Sequence, residues 1–134
     1  MTATITYSEA QDLISREFNI RPDFTMTDNR TLCVSYNPGL LIPTVKVNVR
    51  IETIQNDSII LSYNCQPAVA LIVKGALALL GEKIPHHIIQ INTDNKHAVI
   101  NLRNVKQLES ALKYMSLNDI YLETHRINVD LHVK

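Results

Sequence analysis

Glycine is scarce in this sequence, and its scarcity excludes one large class of functions. The 134 residues include only three glycines, Gly39, Gly75 and Gly81, and these lie far apart. A loop that cradles nucleotide phosphates needs several glycines close together, because its backbone must approach the phosphate closely. We therefore exclude nucleotide binding through a Gly-rich loop.

Neither sign of charge predominates. Thirteen Lys and Arg residues balance thirteen Asp and Glu residues, so the formal net charge at pH 7 is zero. Binding to nucleic-acid phosphates needs a basic surplus, so this balance argues against a nucleic-acid partner. Zero net charge also gives little attraction to an anionic membrane, whereas it favours association between protein chains.

The sequence also lacks a cysteine framework and a signal peptide. Its two cysteines, Cys33 and Cys65, are far apart, so we expect reduced and buried thiols rather than a disulfide or a metal pair. The first ten residues, MTATITYSEA, contain no basic residue and no apolar core, unlike a signal peptide. We therefore expect a cytoplasmic protein.

Catalytic and metal-binding motifs are missing as well. The histidines lack the pairwise spacing of zinc ligands, and they are His86, His87, His97, His125 and His132. The carboxylates fall mostly in turns, helix caps and polar strand positions, where each has a structural role. We therefore expect no enzyme activity, no metal and no cofactor.

The longest apolar segment is Pro67 to Leu80, with the sequence PAVALIVKGALALL. Pro67 suits a first helical turn, and Gly81 is typical of the residue after a helix end. Because the segment is apolar on nearly all sides and carries only Lys74, we expect a central helix that is covered on both sides. A membrane span needs roughly 20 apolar residues, so we expect no transmembrane segment.

The remaining patterns predict an antiparallel sheet and two further helices. Thr6 and Glu9 match a capping box, which predicts a helix at about 7–18, and the spacing of apolar residues predicts another at about 105–115, capped by Asn104. The alternation of apolar and polar residues, together with the turn residues between segments, predicts strands at 31–36, 45–51, 58–63, 87–93, 97–102, 120–124 and 127–133. We predict one α+β domain over residues 1–134, in which a curved antiparallel sheet of about seven strands wraps the central helix.

Two features leave the function open. Small residues such as Gly75 and Ala76 in the central helix indicate either close packing against the sheet or a groove for an acyl chain or another apolar ligand. The apolar loop 40–42 indicates either a rim of that groove or a patch for self-association. The residues that would line the groove are Leu40, Leu41, Ile42, Val69, Ile72, Val73, Ala76, Leu80 and Ile84.

The second half of the chain resembles a group of uncharacterised bacterial proteins. The resemblance rests on LSYNCQPAVALIVKGALALL and VINLRNVKQLESALKYMSLNDIYLETHRINVDLHV, which include Lys74-Gly75-Ala76, Asn101-Leu102 and Leu117 to Val133. More distantly, it is similar to bacterial domains of the tubular lipid-binding type. That resemblance implies a curved antiparallel sheet around a long helix and an apolar ligand, and it carries over no functional residue.

The sequence therefore predicts a non-catalytic domain that binds an apolar or lipid-like ligand in a groove beside residues 67–80. The alternative is a protein–protein interaction module, most simply a homodimer through the apolar surface at residues 40–42.

Overall fold

The chain folds into two antiparallel sheets and three α-helices over the residues that the computed structural model describes, which are 1–39, 41, 43–55 and 57–134. The strands are β1 (Thr2–Thr6), β2 (Asp23–Asp28), β3 (Thr31–Tyr36), β4 (Val45–Ile54), β5 (Ser58–Cys65), β6 (Ile89–Asn92), β7 (His97–Asn101), β8 (Met115–Leu122) and β9 (Arg126–Val133). The helices are α1 (Tyr7–Phe18), α2 (Ala70–Lys83) and α3 (Glu109–Tyr114). Short 3₁₀ turns precede α2 (Pro67–Val69) and α3 (Leu102–Asn104 and Lys106–Leu108).

The sheets contain six strands in the order β2-β3-β4-β5-β7-β6 and three strands in the order β1-β9-β8. The α+β class with antiparallel strands is therefore confirmed. The prediction of one curved seven-stranded sheet wrapped on a central helix is wrong. The final hairpin is not part of the larger sheet, because β9 pairs with β1 instead. The register of this pair runs from Thr2 opposite Asp130 to Thr6 opposite Arg126.

Strands β1 and β2 were not predicted from the sequence, for different reasons. The β1 sequence TATIT contains a single large apolar residue, Ile5, so it shows no apolar alternation. In β2 the apolar alternation is limited to Phe24 and Met26, between aspartates at both ends. Both strands form because a partner strand lies beside them, and a local pattern does not report that partner.

The predicted start of α1 is confirmed in detail. The Glu9 backbone N–H donates to the Thr6 hydroxyl at 3.1 Å, and the Thr6 backbone N–H donates to the Glu9 carboxylate at 3.0 Å. This reciprocal pair satisfies two of the N–H groups that a helix start leaves unpaired. The helix ends at Asn19, whose φ of 58° lies in the left-handed region that favours asparagine and glycine.

The boundaries of the other two helices differ from the prediction. Helix α2 continues through Gly81 to Lys83, and it ends at Ile84 because the residue before Pro85 disfavours helical backbone. Helix α3 is only six residues long. Asn104 does not cap it, since its side-chain amide donates instead to the carbonyl of His87.

The hydrophobic core lies between the two sheets. Ile59 of β5 packs with Leu117 and Ile120 of β8, and all three side chains are buried. Half-buried apolar residues surround this cluster: Leu102 from the 3₁₀ turn after β7, and Ile51, Ile54, Leu61, Ile100, Ile127, Val129 and Leu131 from the two sheets. The three-stranded sheet thus covers one part of the larger sheet.

Helix α2 contacts β4 and β6, so it lies against the larger sheet. Its last turn also contacts α1, because the Lys83 ammonium sits 5.3 Å from the centroid of the Phe18 ring in a cation–π contact. In the part of the chain that the structure describes, no helix is both long enough and apolar enough to cross a membrane.

Leu117→Ala is expected to lower the free energy of unfolding by about 2–4 kcal/mol, because it removes buried methyl groups from between the sheets. The matched control is Val133→Ala at the exposed end of β9, for which we expect a change below about 0.5 kcal/mol. Urea unfolding followed by circular dichroism measures both values. Equal losses in the two variants would contradict this position of the core.

Candidate functional site

Helix α2 buries one side and exposes the other. Val69 and Val73 are buried, and Leu77, Leu80 and Ile84 are half-buried. These five residues recur at intervals of three and four, so they form one stripe that faces the larger sheet. The packing of α2 on the sheet therefore does not explain why the opposite side of the helix is apolar as well.

The exposed side is also apolar, and we call it the outer face of α2. It consists of Ala68 in the preceding 3₁₀ turn and five exposed residues of the helix, Leu71, Ile72, Gly75, Ala78 and Leu79. Leu71 is 85% exposed and Leu79 is 59% exposed. Lys74 lies at one margin of this face, and Glu82 lies at its C-terminal end. Single exposed apolar residues are ordinary, but a contiguous apolar patch on a helix marks a surface that binds something.

The structure distributes the sequence-predicted groove residues over different surfaces. The inner stripe brings together four of them, Val69, Val73, Leu80 and Ile84, whereas Ile72 and Ala76 are exposed. Leu41 is 99% exposed. Leu40 and Ile42 lie outside the described residues.

A second candidate site is an open cleft of about 700 Å³ at the start of α1. It is lined by Thr6, Tyr7, Ser8, Gln11, Phe24, Thr25, Met26, Thr124 and His125. The rings of Tyr7 and Phe24 meet edge to face, with their centroids 6.0 Å apart. Apolar side chains with a polar rim are typical of small-molecule sites. This cleft is absent from the sequence-based prediction because β2 was not predicted, and the available signal was the alternation of Phe24 and Met26.

A buried amide fixes one end of that cleft. Asn128 is only 3% exposed, and its carboxamide oxygen accepts a hydrogen bond from the Thr4 hydroxyl at 2.9 Å. Its amide nitrogen donates to the Glu123 carboxylate, which also accepts from Arg126 at 2.9 Å. The Tyr7 hydroxyl donates to the backbone carbonyl of Glu123. These bonds hold the β8–β9 turn against the start of α1.

The same contacts shift two pKa values. The hydrogen bond from Arg126, with a smaller contribution from Asn128, lowers the pKa of Glu123 because both donors stabilise the carboxylate. Burial raises the pKa of Tyr7, and the nearby Glu123 charge adds to the increase. At neutral pH the carboxylate is therefore ionised and the phenol is protonated, as their hydrogen bonds require.

A smaller polar cleft lies where the two sheets meet. Arg30 forms an ion pair with Asp119 at 2.7 Å and donates to the carbonyl of Ile120. Arg50 lies 3.6 Å from Glu52 and 3.9 Å from Asp28. Each arginine thus has carboxylate neighbours. We assign the contacts of Arg30 to the joining of the β2–β3 turn with β8, and those of Arg50 to contacts within the larger sheet.

Arg126→Met is expected to raise the pKa of Glu123, because it removes the strongest stabiliser of the carboxylate. A carboxyl group whose pKa is lower in the folded state than in the unfolded state stabilises the fold at any pH above its unfolded-state pKa, which is about 4.3. This stabilisation is lost as the pH falls through the folded-state pKa. The variant should therefore be less stable than wild type at pH 7 and lose less stability on acidification. NMR titration of the Glu123 carboxyl measures the change in pKa. Urea unfolding at pH 7 and at an acidic pH measures the change in stability.

The control for this experiment is Arg16→Met, which removes an exposed positive charge from α1 instead. It should leave the titration of Glu123 unchanged. A similar shift in both variants would mean that net charge, rather than the hydrogen bond from Arg126, determines the pKa.

Among the described residues, no three His, Cys, Asp or Glu side chains lie close enough together to hold a metal ion. The absence of enzyme activity stays a prediction. Comparison of the chain with protein-family models, with curated proteins and with solved structures finds no match.

Proposed function

We propose that this chain is a non-catalytic protein-interaction module that binds a polypeptide through the outer face of α2. The observation that carries the proposal is the 85% exposure of Leu71 in the first turn of an apolar helix. Full burial of a leucine side chain stabilises by about 1.5–3 kcal/mol. Folding buries little of the Leu71 side chain and only part of the Leu79 side chain. The free energy of burying the remainder is therefore available for binding.

The shape of this surface favours a polypeptide over a small apolar molecule. Small-molecule sites are concave and enclose most of the ligand surface. The outer face of α2 is the convex side of a helix, on which Leu71 and Leu79 project. A convex apolar helix fits a groove or a second helix of a protein partner.

A photo-crosslinking amino acid at position 71 is expected to give one adduct of defined protein mass when the full chain is expressed in cells. The same amino acid at position 133, where Val133 is also exposed, serves as the control and should give none. Mass spectrometry identifies the adduct. Adding Leu79→Glu should abolish it, because a carboxylate would then be buried in the apolar contact.

Either of two results would contradict the interaction module. A lipid or other small-molecule adduct at position 71 would favour the apolar-ligand function that the sequence predicts beside residues 67–80. Equal adducts at positions 71 and 133 would show that the helix face has no specific partner.

The cleft at the start of α1 supports a second candidate function, the binding of a small apolar or aromatic ligand. The edge-to-face pair of Tyr7 and Phe24 provides an apolar wall, and Gln11 adds a carboxamide to the lining, whose nitrogen donates to the carbonyl of Pro22 at 2.6 Å. Its volume of about 700 Å³ falls within the range of ligand pockets.

Ser8→Phe is expected to fill this cleft and to remove any ligand that copurifies with the protein. Arg16→Phe adds the same ring to the same helix, away from the residues that line the cleft, and should keep the ligand. Native mass spectrometry followed by organic extraction detects the extra mass. Wild-type protein without extra mass, or a ligand retained in Ser8→Phe, would remove this second candidate.

A further inference from the structure

We infer that the partner of the outer face of α2 is a second copy of this chain, with the two α2 helices antiparallel across a two-fold axis at Gly75. This inference rests on the proposed interaction module and specifies its partner. Four observations carry it: the symmetry of the two leucines, the position of Gly75, the position of Glu82 and the exposed area of the chain.

The outer face of α2 is complementary to itself. Leu71 precedes Gly75 by four residues and Leu79 follows it by four, which is about 6 Å along the helix in each direction. A two-fold axis through Gly75 therefore places Leu71 of one copy beside Leu79 of the other, twice. A closed dimer with identical contacts on both copies results.

Gly75 allows the two helices to approach closely at that axis. Glycine inside a helix costs about 1 kcal/mol relative to alanine. The chain itself gives no reason for this cost, because a Cβ at position 75 would meet nothing within 4 Å. Between two copies, the missing side chain permits an interaxial distance near 8 Å, the lower end of the usual range.

Charge complementarity favours the antiparallel arrangement. The first turn of α2 contains no acidic residue, and no side chain caps its start. Glu82 follows Gly75 by seven residues, so in an antiparallel pair it lies opposite Ala68, at the start of the other helix. A carboxylate there is favourable, because the aligned peptide dipoles give a helix N-terminus a partial positive charge.

The chain as a whole exposes more surface than a compact monomer of its mass, and the difference exceeds the area that one interface requires. The chain exposes 8823 Å², whereas a folded monomer of its mass, 15.2 kDa, exposes about 7,100 Å². A standard interface buries about 800 Å² on each partner, which is less than this surplus. Zero net charge removes long-range repulsion between the copies.

Sedimentation equilibrium of the purified full chain is the first test. We expect wild type to reach twice 15.2 kDa at high micromolar concentration. Gly75→Gln should weaken the dimer at least about tenfold by separating the helices. Gly81→Gln is the matched control, because it changes the same residue type in the same helix away from the outer face, and it should leave the dimer unchanged.

We expect both glycine variants to fold, so a weaker dimer in Gly75→Gln would not result from misfolding. Glutamine is a better helix former than glycine, and a Cβ has open space at both positions, so both variants should unfold at or above the wild-type temperature. Glu82→Gln should weaken the dimer about two- to fivefold, and high salt should reduce that difference.

Disulfide cross-linking tests the geometry, in a background with Cys33→Ser and Cys65→Ser. Gly75→Cys should form a disulfide dimer with itself, because position 75 lies on the axis. Leu71→Cys alone should not, because two copies of position 71 lie about 12 Å apart along antiparallel helices. Cross-linking of Leu71→Cys with itself would indicate parallel helices and overturn the proposed arrangement.

A monomeric wild type at high micromolar concentration, or a dimer that Gly75→Gln leaves intact, would also overturn the inference. Its failure is distinguishable from failure of the interaction module. A monomer that still gives a Leu79-dependent adduct with a different protein at position 71 supports the module and excludes the second copy. A monomer without any such adduct contradicts both.

Discussion

The packing of Ile59 against Leu117 and Ile120 determines how the rest of the molecule is arranged. This contact joins the last hairpin to the larger sheet, and the hairpin in turn carries β1 and the start of α1. The larger sheet is also covered by a helix. Helix α2 contacts β4 and β6 and contributes the inner stripe that contains Val69 and Val73.

Local signals in the sequence predict the elements whose causes are local. The capping box of Thr6 and Glu9 predicts the start of α1, and the alternation of apolar and polar residues predicts β3 and β9, whereas β8 begins at Met115, five residues before the predicted strand. The division into two sheets has no local signal, because it depends on the pairing of Ile5 with Ile127, more than a hundred residues apart. Alternation predicts a half-buried strand, but it does not specify the neighbouring strand.

The candidate site could be predicted only in part, for a related reason. The apolar character of residues 67–80 predicts that both sides of the helix need cover, but it does not say whether that cover belongs to the same chain. Val73 receives its cover from within the chain, whereas Leu71 does not. Val73 and Ile72 were predicted to line one groove, but they face in different directions on the helix.

The pairing of β1 with β9 also has a consequence for the order of folding. Strands β2 to β5 join neighbours along the chain, so their hairpins need only short loop closures. Strand β1 must wait for Arg126–Val133 before it gains a partner, and such distant contacts slow folding. During synthesis on the ribosome, we therefore expect TATIT to remain an uncharged and unpaired segment until the last hairpin emerges. Until then, β1 is exposed to mispairing with other chains.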